Sequence, residues 1–405
     1  MDDNYNQITL ILNRGFMEIL QRGIVTIVPG ERKVVLILGA GSTLDNADTV
    51  NDFEKPPLNK HFFRKTREFL KRSQIDPAKK KEMYYQFEYV RAYFEIWHGK
   101  DIFSDEEDYL EKVMSQIFAD VTEKLPEQRP AFFVFVAFMK LLYDLLGETT
   151  NNIKIDSGKP LFKIISHYLR NGVKPENLLI ISFNYDIYVE KTLAAVARSF
   201  FDPDFLVFLL QHCYELGLSF YDFTLAKQPR IGWFPVRLNV APGGVIVLKL
   251  HGSLNWYSIF PSEIVGLESM FYRDRTLKVT RELEINSNKL KYRTPAGDIR
   301  YTLPVIVPPV KNKEDLYHSR ILNLWSLAGT ALSEADEILI YGYSCPRLDI
   351  ESEEMFRASV RHSTLLEKIS IIDPSTAVYE RYSKLFAPKI INSYPDSGSF
   401  LADGN

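Results

Sequence analysis

Lys33-Val34-Val35-Leu36-Ile37-Leu38-Gly39-Ala40-Gly41-Ser42 is the stretch whose reading decides the fold. Its apolar run does not alternate. Every position from Val34 to Leu38 is apolar, so a strand built here needs cover on both faces. A strand inside a parallel sheet, with helices above and below, has this pattern. The glycines that follow permit a tight turn and a close approach of backbone.

Further along the chain the same theme returns. Leu178–Phe183, Val245–Leu250, Val305–Val307, Glu337–Tyr341 and Lys368–Ile372 read as short buried strands. Ile187–Arg198, Glu314–Leu332, Ile350–Arg361 and Ser375–Leu385 read as helices between or after them. Strands alternating with helices make βαβ units with right-handed crossovers. The fold class is therefore α/β, a Rossmann-like parallel sheet with helices on both faces.

One segment breaks the rhythm. Leu58–Leu70, Glu82–Trp97, Glu106–Leu125 and Pro130–Leu146 carry helical patterns with no convincing strand among them. They predict a large all-helical insertion. The chain divides accordingly. Residues 1–57 hold an N-terminal helix and the first βα unit, 58–175 the helical insertion, and 176–405 the rest of the nucleotide-binding core. Residues 1–30 form a helical lead-in ending near Pro29-Gly30. Residues 200–240 are aromatic-rich, with a helix at Phe205–Leu216, and 260–300 are loops, helix or a small hairpin.

Composition narrows the class. The chain has 405 residues, 46% hydrophobic and 25% charged, enough for a sizeable core. Its two cysteines, Cys213 and Cys345, cannot build a disulfide framework or a four-cysteine zinc site. A reducing cytoplasm is the natural setting. The net charge of −3 argues against nucleic acid as a direct partner, and clusters such as Lys79-Lys80-Lys81 read as solvated helix surface. The start, MDDNYNQ, is acidic and polar, unlike a secretory signal. Ala131–Met139 is the most apolar run; it is short for a bilayer, which predicts a buried helix and no membrane contact.

Ligands of open parallel sheets bind beyond the carboxyl ends of the strands. The residues just after each predicted strand are polar or glycine-rich. Gly39-Ala40-Gly41-Ser42 could admit a pyrophosphate, or simply turn the chain; Leu44 stands where a dinucleotide fingerprint has its third glycine. Asn184 and Asp186 could hold ribose hydroxyls or a water, or cap the next helix. His251, in Leu250-His251-Gly252-Ser253, could accept a proton near neutrality, or be a satisfied histidine in a glycine turn. Gly342-Tyr343-Ser344 and Asp373 suit phosphate and ribose contacts, though Asp373-Pro374 could merely start a helix. Their convergence on one sheet edge favours a site over a set of unrelated turns.

GAGS at 39–42, SFNYD at 182–186, LHGS at 250–253, GYS at 342–344 and the strand-end Asp373 follow one another in the order found in sirtuins. The chain resembles bacterial sirtuin-like effectors that cleave NAD⁺ in anti-phage defence. The likeness spans about residues 33–60, 176–258 and 300–380 and leaves out the helical insertion. It implies that Gly39, Ala40, Gly41 and Ser42 cradle the NAD⁺ phosphates. It implies that Asn184 and Asp186 hold the nicotinamide-side ribose and the attacking water, with His251 as base. Gly342, Tyr343, Ser344 and Asp373 would serve the adenosine half.

Two departures shape the expectation. Sirtuin deacylases carry a zinc ribbon of paired cysteines after the catalytic histidine; this chain has no CxxC, so no metal is expected. The loop after the glycine turn reads STLDNADTVNDFEKPPLN, without the Pro-Asp-Phe-Arg stretch of sirtuins. Water is then the simpler acceptor, and the resemblance implies an NAD⁺ hydrolase releasing nicotinamide and ADP-ribose. An NAD-dependent deacylase is one alternative, and a non-catalytic NAD or ADP-ribose sensor gating a partner is another. The resemblance also implies a homo-oligomer and a partner defence protein, an ATPase or a sensor. The insertion, large and without predicted site residues, is the expected seat of those contacts.

Overall fold

The computed structural model describes residues 31–47, 50–104, 109–122, 128–200, 245–259, 277–279, 291–293, 299–307, 319–346, 349–361 and 363–403. The helical lead-in at 1–30 and the helix at 205–216 lie outside them. In chain order the strands are β1 (Val34–Leu38), β2 (Leu178–Ser182), β3 (Ile246–Lys249), β4 (Gly252–Ile259), β5 (Leu277–Val279), β6 (Lys291–Arg293), β7 (Ile299–Ile306), β8 (Glu337–Tyr341), β9 (Lys368–Ile372) and β10 (Ile391–Tyr394). The helices are α1 (Ala40–Asp45), α2 (Phe62–Arg72), α3 (Pro77–His98), α4 (Leu110–Thr122), α5 (Gln128–Asn151), α6 (Pro160–Arg170), α7 (Tyr188–Phe200), α8 (Ser319–Ser333), α9 (Ile350–Arg361), α10 (Thr376–Leu385) and α11 (Ser397–Asp403).

The main sheet has six parallel strands in the order β10-β9-β8-β1-β2-β3. β1 lies between β2 and β8, and all of its residues are buried, as its unbroken apolar run predicts. The chain leaves β1 toward β2 on one side, and returns later to pair β8 on the other. That divergence is a topological switch point, and in open parallel sheets a ligand crevice lies beyond the strand ends there. Helices flank the sheet in two groups: α6, α7 and α11 pack together, and so do α8, α9 and α10.

The segment 305–307, expected as another strand of the alternating core, sits elsewhere. It ends β7 in a separate four-stranded sheet of order β5-β4-β7-β6, whose pairings are antiparallel. β4 begins immediately after the turn that ends β3, so the two sheets meet at His251. β7 runs beside that junction: Val307 N–H donates to the His251 carbonyl at 2.8 Å. β10 is an edge strand whose inner positions, Asn392 and Ser393, are exposed, which hides it from a search for apolar runs.

A second apolar cluster forms from α2 to α5, with Phe62, Phe63, Phe94 and Phe138 at its centre, and it includes Ile187, Leu254 and Ile306 from the core. α6 lies within the span 58–175 assigned to the insertion, yet Leu161, Ile164, Ile165 and Tyr168 pack in the cluster of the parallel sheet. The apolar run at 131–139 extends in α5 to a helix, Pro130–Asn151, long and apolar enough to cross a membrane by length and composition. More than half of that stretch is buried, packed on α3 and α4.

Candidate functional site

The floor of the crevice is made by backbone meeting backbone. Gly39 N–H donates to the Tyr341 carbonyl at 3.1 Å, and Gly41 N–H to the Gly342 carbonyl at 3.0 Å. A Cβ on Gly39 would fall 2.5 Å from the Gly342 oxygen, and one on Gly342 would fall 2.2 Å from Ser42 N. Gly342 also has φ of 62°, a left-handed value that favours glycine. The glycines after β1 and β8 therefore interlock with each other. The Ser42 hydroxyl donates to the Gly39 carbonyl at 2.7 Å and is buried.

Asn184 and Asp186 follow β2 and reach back to α1. The Asn184 amide nitrogen donates to the Gly39 carbonyl at 2.9 Å and to Thr43 Oγ1 at 3.1 Å. A carbonyl only accepts, so this contact fixes which way the carboxamide points. Thr43 Oγ1 in turn donates to Asp186 Oδ2 at 3.0 Å. Asp186 Oδ1 accepts from the Tyr188 N–H at 2.9 Å, so the helix-capping role is real. Beneath them Lys249 and Glu190 form an ion pair at 3.3 Å with both side chains buried, and Lys249 also donates to the Asp186 carbonyl.

His251 sits in the turn between β3 and β4. Gly252 has φ of 79°, and a Cβ there would lie 2.0 Å from the Val305 carbonyl oxygen; β7 passes too close for any side chain. The imidazole is 5% exposed. Phe183 meets it edge-on at 5.2 Å and stacks flat on Tyr343 at 3.9 Å. Trp325 lies 6.0 Å from it and is anchored by its indole N–H to the Leu250 carbonyl at 3.1 Å. The Asp349 carboxylate stands 3.4 Å from His251 Nε2 and accepts the Tyr343 hydroxyl. Burial, then the neighbouring Asp349 charge, pushes the Tyr343 phenol well above its ordinary range.

These elements enclose a cavity of about 420 Å³. Ala40, Gly41, Asn184, Asp186, His251 and Gly342 line it, as do Tyr343, Ser344 and Asp373. Gly39 and Ser42 lie below its surface and shape the floor through the bonds above. Burial raises the Asp373 carboxyl, partly offset by the Ser375 N–H that donates to it.

The insertion, expected to lack site residues, supplies the outer wall: Leu58, Asn59, Lys60, Leu110, Glu111 and Leu146. Asn59 clasps that wall. Its carbonyl accepts from Leu110 N–H and its side-chain oxygen from Glu111 N–H, each at 2.9 Å. Thr43, Asp349, Asn59 and Glu111 escaped the sequence reading. Thr43 had a signal: it stands one helical turn beyond Gly39, on the same face. Asp349 looks in sequence like an ordinary residue before a helix. Asn59 and Glu111 meet only in three dimensions.

No family model matches the sequence, and neither does any curated protein. Among solved structures the chain is similar to a Sir2 homologue crystallised with NAD, at 11% identity and a TM-score of 0.39, over 93% of this chain and 88% of that one. It is also similar to a mutant Sir2 homologue in complex with ADP-ribose, at 11% identity and a TM-score of 0.40, over 93% and 91%. The α/β class is given by the chain's own six-stranded parallel sheet. Among the described residues no cluster of His, Cys, Asp and Glu could hold a metal ion.

Proposed function

We propose that the chain hydrolyses NAD⁺ at its nicotinamide–ribose bond, with Asn184, Asp186 and His251 as the reacting machinery. One observation carries the reading: these residues, drawn from separate strand ends, line a single cavity at the switch point between β1 and β8. Cavities of this size suit small ligands and cofactors.

Nicotinamide leaves as a neutral molecule and takes the bonding pair with it, so its departure needs little acid catalysis. The barrier lies in the oxocarbenium-like ribose, which a fixed polar surround stabilises better than mobile water does. Asn184 commits its nitrogen to Gly39 and Thr43, which leaves Oδ1 to accept from a water or a ribose hydroxyl. Water adds to the ribose carbon and gives one proton to His251, which releases it to solvent. NAD⁺ and water thus become nicotinamide, ADP-ribose and a proton. Asp186 fixes Thr43, and its charge opposes the positive charge that develops on the sugar. In this reading Ala40 and Gly41 meet the phosphates, with Gly39 and Ser42 below them. Gly342, Tyr343, Ser344 and Asp373 serve the adenosine half.

Draining NAD⁺ harms the cell that makes the enzyme, so the activity is held silent until triggered. That suits a cytoplasmic effector of anti-phage defence, working as a homo-oligomer with a partner protein. The test is NAD⁺ content during phage challenge in cells carrying the unaltered protein, H251A or N184A. Loss of depletion in both variants is the expected result; equal depletion in all three overturns the assignment. An H251A protein that still binds NAD⁺ separates this reading from that of a passive sensor.

A further inference from the structure

We infer that Asp349 is the positioning residue of this site: its carboxylate holds the His251 ring by Nε2, leaving Nδ1 to meet the reacting proton. The inference rests on the proposed hydrolase reading for its chemistry, but its geometry stands apart from it. His251 Nε2 is buried and has no hydrogen-bond partner among the described residues. Leaving such a nitrogen dry and unmatched is costly. Asp349 Oδ2, itself on a residue only 1% exposed, stands 3.4 Å away, at ion-pair distance but without hydrogen-bond alignment. Contacts of this kind are often loose in an empty site and tighten when it fills.

The surroundings limit what else could play the part. Among the described residues Asp349 alone forms an ion pair with His251. The other titratable groups on the cavity wall are Lys60, Glu111, Tyr185, Asp186, Tyr343 and Asp373. Tyr185 spends its hydroxyl on the Val307 carbonyl at 3.1 Å, and Tyr343 spends its own on Asp349. Phe183, stacked on Tyr343 and edge-on to the imidazole, sets the plane in which ring and carboxylate meet. When water attacks the ribose carbon, its O–H bond breaks and the proton goes to Nδ1. The new imidazolium then faces the Asp349 carboxylate across Nε2.

The test follows His251 directly, by nitrogen NMR on histidine-labelled protein, with the signal assigned by its loss in H251Q. In D349N the neutral His251 ring moves from the Nε2–H toward the Nδ1–H tautomer, read from its two nitrogen shifts, because the carboxylate that accepts the Nε2 proton is gone. In Y343F the Nε2–H tautomer gains, because the carboxylate loses the Tyr343 hydroxyl as a competing donor. Thermal melting establishes that each variant is folded, and Y343F stands as the test if D349N is not. A His251 tautomer balance unmoved in a folded variant overturns the inference, whatever the protein does to NAD⁺. In the enzyme assay D349N lowers kcat about tenfold to a hundredfold and leaves KM within about twofold. If the NMR responses appear and neither protein cleaves NAD⁺, the positioning role survives and the hydrolase reading falls.

Discussion

The floor of the cavity and its outer wall are built by different means. The floor is backbone against backbone, the glycine turns after β1 and β8, propped by the buried pair of Lys249 and Glu190. The wall is side-chain packing: an apolar bundle from α2 to α5, fastened near the cavity by Asn59. Glycine contacts and matched charges tolerate almost no displacement, whereas apolar packing adapts. The floor thus suits groups that must hold atoms in register, and the wall suits shape and access. Their buried charges differ in the same sense. Lys249 and Glu190 are matched, while Asp144 in α5 lies buried with Lys79 Nζ 3.9 Å away and that amine already bonded to Glu148.

The contrast can be broken at several points. K249M strands the Glu190 carboxylate and shifts the Asp186 carbonyl; a broken buried pair costs about 3–5 kcal/mol, read by urea unfolding. K249M/E190L removes both charges and recovers most of that loss; no recovery would mean that the pair is not the prop. D144N works in the other direction. Burial raises the Asp144 carboxyl from 3.8 to about 6, against the lowering pull of Lys79 and Lys140. The folded value lies above the unfolded one, so ionisation costs stability, fully above about pH 6 and not at all below about pH 4. D144N should therefore gain about 3 kcal/mol at pH 7 and nothing at pH 4, relative to the unaltered protein. Equal melting shifts at both pH values would refute this.

G342A should lose about 1–2 kcal/mol from backbone strain alone, plus the cost of parting the turns. Cleavage should fall further than stability does, since the turn sets the cavity floor; a fall in stability alone would detach the interlock from the chemistry. The smallest effect belongs to the wall. N59A removes one hydrogen bond, about 1 kcal/mol. It should raise KM for NAD⁺ several-fold and leave kcat nearly unchanged. A drop in kcat instead would mean that the wall takes part in the chemistry.

The parallel sheet was legible because strands buried on both faces write themselves as apolar runs: Val34–Leu38, 246–248 and 338–341 all did, with Lys249 and Glu337 at strand ends. The strand ends were legible as a shared edge because ligands of an open parallel sheet meet residues just beyond the strands, and those residues do line one cavity. The second sheet was not. β7 carries Pro304 and polar residues, and only its last residues look like a core strand. The wall was hidden for another reason. Leu58, Leu110 and Leu146 are ordinary helix-bundle residues until the chain folds them over the crevice. Asp349 was hidden because an acid ahead of a helix has a commonplace explanation.

The Asn59 clasp and the shared apolar cluster bear on how the protein can be dissected. Ile187 and Leu254, which flank the Asn184 and His251 turns, are buried under helices of the insertion. Excising residues 62–151 would not yield a trimmed core. It would uncover a greasy face beside Asn184 and His251 and leave the crevice without its far side. Such a truncation would clump in solution for reasons unrelated to quaternary structure, so self-association is better probed by point changes on the exposed helical surface.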